Sequence, residues 1–242
     1  MAHKTAHLEV DGLRAYVSQP ERETSGGVLV LPTIIGIQDH LKHICARLND
    51  AGLAALAWDP FSGWDDNAPL QERATWARTT LDDRAAQQEQ RRWVSYMHDE
   101  LGLERVGVIG FCLGGRQQLS LCAVEPRLQA CAAYHPSIEM PAPEHCLDAI
   151  AMARDIRCPV QLLYPGQDHI TNQETLQALR QALESRPAPT MIHVYPQADH
   201  GFTEGPNPFT GGDRSQSPAN RAAHALAWPQ TMALFTACLL AS

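Results

Sequence analysis

Residues 106–115, Val-Gly-Val-Ile-Gly-Phe-Cys-Leu-Gly-Gly, restrict what this chain can fold into more than any other stretch. Val106, Val108 and Ile109 form a short β-branched run suited to a strand covered on both faces, and the run stops at Gly110. Gly110-Phe-Cys-Leu-Gly114 is the nucleophile-elbow pattern G-x-S-x-G with cysteine in the serine position. In such a turn the backbone reverses from strand into helix within a few residues, so the flanking positions have no space for a Cβ. Cys112 is therefore expected above the carboxyl end of a parallel sheet, at the start of a helix. There, free N–H groups and the positive dipole end favour both a thiolate and an oxyanion. The competing reading is a buried structural cysteine in a Gly-rich turn.

The flanking sequence supplies the layers that such a sheet needs. Residues 7–18 read as a hairpin turning at Asp11-Gly12. Buried strands are predicted over 28–31, 53–58, 128–134, 159–164 and 190–195, each an apolar run bounded by turn residues. Helical spacing recurs over 40–51, 70–101, 113–124, 172–185 and 219–240, the last with Pro229 making a kink or a new start. Residues 136–157 carry Pro136, Pro141 and Pro143 and read as a loop excursion with a short helical piece at 148–154. Strands alternate with helices, without a repeat or an internal linker. The 242 residues are thus expected to form a single α/β domain over 1–242, a doubly wound, mostly parallel sheet with helices on both faces.

Charge and cysteine usage narrow the partners. The net charge of −8, with no Lys/Arg block, argues against nucleic acid and membrane surfaces and leaves a small molecule as the expected partner. The N-terminus has no apolar core of signal-peptide length, and no window approaches a membrane span, so a cytoplasmic location is expected. The seven cysteines are odd in number and scattered, without a CxxC, which suits reduced thiols. Cys131 and His135 have C-x3-H spacing but no second pair, and His40 and His43 have no third ligand at helical spacing; no metal or other cofactor is expected.

A thiol nucleophile needs a base, and the base needs an acid to fix its tautomer. Past the later strands the chain offers Asp168, in Gly166-Gln-Asp168-His169, and then His200, in Ala198-Asp-His200-Gly-Phe202. Nucleophile, acid, histidine is the order of the α/β-hydrolase fold, and all three lie just past the carboxyl ends of apolar strands, where one pocket is assembled. Asp199 adjoins His200 and would point away from its ring. His135 precedes any suitable acid, and His169 is too close in sequence to Asp168 to be served by it.

With Gly110-Phe-Cys112-Leu-Gly-Gly115, Gly166-Gln-Asp168-His169 and Ala198-Asp-His200-Gly-Phe202 in this order, the chain from about residue 26 to 240 resembles the dienelactone hydrolase family, α/β-hydrolases that use cysteine. The resemblance implies hydrolysis of an ester or lactone through an acyl-cysteine intermediate without a cofactor. It also implies an oxyanion hole made by the backbone N–H groups of Ile34 and Leu113. Two positions depart from the family. Thr33 stands where members typically carry a glutamate that holds the resting thiol, and Glu204 where the dienelactone-cleaving members carry an arginine for the substrate carboxylate. A carboxylate at 204 would repel an anionic substrate, by about 1 kcal/mol or more. The resemblance therefore implies a dienelactone hydrolase-like activity with altered substrate recognition; a monomer or small homo-oligomer is expected. His200 takes the thiol proton, because Thr33 cannot be a base near neutral pH. A thioesterase or acyltransferase on the same residues, and a non-catalytic binding protein that kept the pocket, remain as alternatives.

Overall fold

The computed structural model describes residues 3–65, 67–203 and 213–240. Strands β1 (Lys4–Val10) and β2 (Leu13–Gln19) form the expected hairpin, with Asp11 and Gly12 at φ +52° and +76°, the left-handed pair that a two-residue turn requires. Strand β2 lies antiparallel on β4 (Ala54–Trp58). From there the sheet is parallel through β3 (Gly26–Leu31), β5 (Arg105–Phe111), β6 (Leu128–Tyr134), β7 (Val160–Gln167) and β8 (Thr190–Asp199). The order across it is β1-β2-β4-β3-β5-β6-β7-β8, so the elbow strand β5 is central.

The central strands are apolar on both faces because helices cover both. Leu29 and Leu31 belong to one core with residues of α3 (Asp83–Asp99), α4 (Leu113–Val124) and α6 (Gln173–Glu184), whereas Val28 and Val30 belong to a second with residues of α1 (Asp39–Asp50) and α7 (Pro218–Phe235). Alternate residues of one strand thus feed two separate cores, as the period of two demands. Pro229 lies inside α7, which passes into a π-helical turn over Thr236–Leu240. The 136–157 excursion contains α5 (Ala149–Met152) and a short 3-10 turn. No helix among the described residues is long and apolar enough to cross a membrane.

Two expectations are corrected. The helical pattern over 70–101 is two helices, α2 (Leu70–Thr79) and α3. They separate at Asp82, whose carboxylate accepts from the Arg84 and Ala85 amides at 2.8 and 3.0 Å, capping α3, while Leu81 is buried beside it. An N-cap satisfies donors that a continuous helix would have paired internally, so the break costs little. Strand β8 also outruns its predicted end at 195, continuing through Pro196 to Asp199. Proline is tolerated because β8 is the edge strand. The extension bears on function: Gln167 of β7 pairs with Asp199 of β8, so the next residues, Asp168 and His200, leave the sheet side by side.

Candidate active site

Cys112 sits between β5 and α4 at φ +54°, ψ −110°, a conformation that costs a non-glycine residue on the order of 1–3 kcal/mol. Four backbone hydrogen bonds hold it there. The Cys112 amide donates to the Tyr134 carbonyl at 3.1 Å, its carbonyl accepts from Arg116 at 3.1 Å and Ser137 at 3.0 Å, and the Gly114 amide donates to Pro32 at 3.0 Å. The glycines are there for space. An added Cβ on Gly110 would stand 2.3 Å from the Gly114 carbonyl oxygen, and one on Gly115 2.8 Å from that of Tyr134. The elbow expected from the sequence is thus a tight crossing of β3, β5 and β6 exits, with the Cys112 side chain almost wholly buried at its apex.

Asp168 and His200 meet as their paired strands imply. His200 Nδ1 and Asp168 Oδ2 are 3.0 Å apart, and both side chains are buried. The other carboxylate oxygen accepts from the Ile170 and Thr171 amides at 2.7 and 3.0 Å, which fixes the carboxylate plane. An acceptor-only carboxylate on Nδ1 requires the proton there and turns Nε2 towards the elbow. Nε2 does not face an empty space: it lies 3.3 Å from Ser137 Oγ, which in turn lies 3.0 Å from Cys112 Sγ. The structure therefore brings Cys112, Asp168 and His200 together, with one hydroxyl that the sequence reading left out. The signal for Ser137 was the one used for the other three, a residue just past the carboxyl end of an apolar strand, here β6.

Burial disfavours charge on His200, but the facing Cys112, the hydrogen bond that Nδ1–H donates to Asp168 and the hydrogen bond with Cys112 outweigh it and raise its pKa to about 10. Folding then favours the imidazolium. Relative to an ordinary histidine at 6.5, the stabilisation is fully present below pH 6.5 and is lost as pH climbs through about 10. The melting temperatures of the wild type and His200→Gln should accordingly lie furthest apart near pH 6 and converge towards pH 10, a change on the order of a few kcal/mol. A gap that stays constant across that range would contradict this electrostatic account.

Other candidates resolve as follows. The Thr33 side chain is buried, and its hydroxyl accepts from the Ile35 amide at 3.4 Å within its own loop. Ile34 lies in that loop and Leu113 opens α4; among the described residues neither amide donates to a protein acceptor. Glu204 lies outside the described residues. Asp199 is bound to Asn220, whose Nδ2 donates to it at 2.8 Å, and so anchors α7. Arg116 is structural: its Nη2 donates to buried Asp83 at 2.8 Å, tying α4 to α3. His135, set aside on chain order, is nonetheless close. Its ring stands 5.0 Å edge-on from that of His200, and burial and the His200 charge push its pKa well below the ordinary value. It is a neutral wall of the site, hydrogen-bonded to Thr203 Oγ1 at 3.0 Å.

Residues 13–239 match the family model described as the dienelactone hydrolase family. The chain belongs to that family. A carboxymethylenebutenolidase from Rhodococcus opacus is 30% identical over 219 residues, covering 87% of this chain and 81% of the relative. Among solved structures, a dienelactone hydrolase from Anabaena variabilis is 18% identical, with a TM-score of 0.67, over 98% of each chain. A dienelactone hydrolase-like promiscuous phosphotriesterase from metagenomic libraries is 21% identical, with a TM-score of 0.74, over 98% of this chain and 99% of its own. The structural likenesses establish the α/β-hydrolase fold; the family match makes this dienelactone hydrolase-like protein a hydrolase of the lactone and ester class.

Proposed function

We propose that this member of the family cleaves an ester or lactone through an acyl-cysteine intermediate, with a substrate preference different from that of members carrying the glutamate and arginine at positions 33 and 204. The observation that carries the reading is the continuous line from Asp168 through His200 and the Ser137 hydroxyl to Cys112 Sγ at the apex of the elbow. In the reaction, the thiol proton passes to His200 Nε2 as Sγ attacks the carbonyl carbon, and the oxyanion is received by the Ile34 and Leu113 amides. The Nε2 proton of His200 passes to the leaving alkoxide, which in a lactone stays tethered to the acyl group. A water molecule then gives its proton back to Nε2 and attacks the thioester, releasing a carboxylic acid and the free cysteine. Asp168 keeps Nδ1 protonated throughout and stabilises the imidazolium. The short neutral Thr33, engaged with Ile35, offers no charge to a substrate group. The printed name of the Rhodococcus opacus relative, carboxymethylenebutenolidase, also supports a lactone-type substrate.

The test is to trap the intermediate. A p-nitrophenyl ester with a hindered acyl group, quenched in acid during the burst, should add one acyl mass to the protein, map to Cys112 and be removed by neutral hydroxylamine. Turnover without an adduct, or an adduct on Ser137, would refute the acyl-cysteine route.

A further inference from the structure

Ser137 touches both of the groups that must exchange a proton, beside the direct approach of Cys112 to His200. Its Oγ has Cys112 Sγ and His200 Nε2 as its hydrogen-bond partners among the described residues, at 3.0 and 3.3 Å. Its position is built rather than incidental. The Ser137 amide donates to the Cys112 carbonyl at 3.0 Å, locking the two backbones together. On either side of it, the Thr171 hydroxyl donates to the Pro136 carbonyl at 2.6 Å and accepts from the Ile138 amide at 2.8 Å. The Thr171 amide in turn donates to Asp168 at 3.0 Å, so one threonine fixes the serine loop to the acid loop. Resting on the acyl-cysteine reading above, we infer that Ser137 is a further catalytic residue: its hydroxyl carries the thiol proton to His200 and then donates to the thiolate left behind.

The step balances without any other reactant. In the neutral pair the thiol S–H donates to Ser137 Oγ, and the Ser137 O–H donates to the Nε2 lone pair. Transfer breaks the S–H bond and the original serine O–H bond, and forms a new serine O–H and an Nε2–H. Serine ends with one proton, as it began, and the charge separates into thiolate and imidazolium. Both hydrogen bonds then reverse, Nε2–H donating to Oγ and Oγ–H to sulfur, with the same three heavy atoms in place. Hydroxyls can play both parts because they donate and accept at once. When a substrate carbonyl arrives, both protons move as Sγ attacks it, and the charge developing on sulfur is held by the serine donor.

The inference is tested by alkylating Cys112 with iodoacetamide as a function of pH, with peptide mass spectrometry as readout, in the wild type, Ser137→Ala and Ser137→Thr. Losing a hydrogen bond to a charged group is worth about tenfold or more. Ser137→Ala should thus react about tenfold more slowly at pH 7, with its rate–pH midpoint moved up, and Ser137→Thr should recover most of the loss. A purely structural serine would lower stability and leave that midpoint where it was; an unmoved midpoint overturns the inference. If Ser137→Ala does not fold, the wild type decides: burst rates in mixtures of light and heavy water should bow downwards for two protons in flight, and a straight line overturns the relay. Cys112→Ala keeps the two claims apart. Intact ester turnover in that variant defeats the acyl-cysteine reading, whereas lost turnover beside an unmoved Ser137→Ala midpoint defeats the relay alone.

Discussion

Replacing Cys112 with alanine should lower ester turnover by about 10⁴-fold or more while leaving the protein folded. The fold survives because the elbow is held by the backbone: the bonds to Tyr134, Arg116, Ser137 and Pro32 use main-chain atoms at every position. Alanine at φ +54° is as strained as cysteine, and no more. What disappears is the bond-forming atom. In the proposed mechanism thiol, imidazole and carboxylate act as one unit, so their effects should not add. Introducing His200→Ala into Cys112→Ala should therefore cost little further, although His200→Ala alone is severe. The measurement is a double-mutant cycle on kcat/KM with a p-nitrophenyl ester and a lactone. It also exposes the strongest rival nucleophile. Ser137 Oγ already contacts Nε2, so activity that persists in Cys112→Ala and vanishes in Cys112→Ala/Ser137→Ala would move the nucleophile to the serine.

Why three of these groups were legible in the sequence, and the fourth was not, follows from how each is specified. The elbow is written in contiguous residues, since crowding at Gly110, Gly114 and Gly115 leaves a local mark. Asp168 and His200 are far apart in the chain, but each follows an apolar strand, and parallel strands end on one edge. The pairing of Gln167 with Asp199 turns that rule into a contact. Ser137 follows a strand too, yet it sits beyond His135-Pro136 in a stretch that reads as irregular, and a serine in a loop carries no pattern of its own. Its role comes from tertiary clamping by Thr171, which no window of sequence contains. The same limit explains the fold-level errors. The run from Leu70 to Leu101 keeps helical composition across Thr80-Leu81-Asp82, so only the cap at Asp82 marks the break. Pro196 signals an exit in a strand with neighbours on both sides, but not at a sheet edge.

Gly114→Ala tests the crowding directly, because local and tertiary effects have opposite signs there. Gly114 lies in the first turn of α4, where replacing glycine by alanine ordinarily stabilises a helix by up to about 1 kcal/mol. Its Cβ, however, would stand 2.4 Å from the Leu31 carbonyl oxygen and 2.5 Å from the Leu31 carbonyl carbon. Both belong to the backbone of a buried central strand and cannot swing away as a side chain could. Overpacking of this kind costs about 3 kcal/mol, so the tertiary term should win, with a Tm lower by roughly 6–12 °C. The displacement falls on the segment Leu31-Pro32-Thr33-Ile34, which accepts the Gly114 amide and carries one of the two oxyanion donors proposed here. Turnover should therefore collapse even well below the melting temperature. Gly102→Ala is the control: its φ of +66° also disfavours alanine, but nothing lies within 4 Å of the new Cβ. It should lose about 1–2 kcal/mol of stability and keep its turnover. If Gly114→Ala instead melted at or above the wild-type temperature with full activity, the close approach of β3 to the elbow could not be what makes glycine necessary.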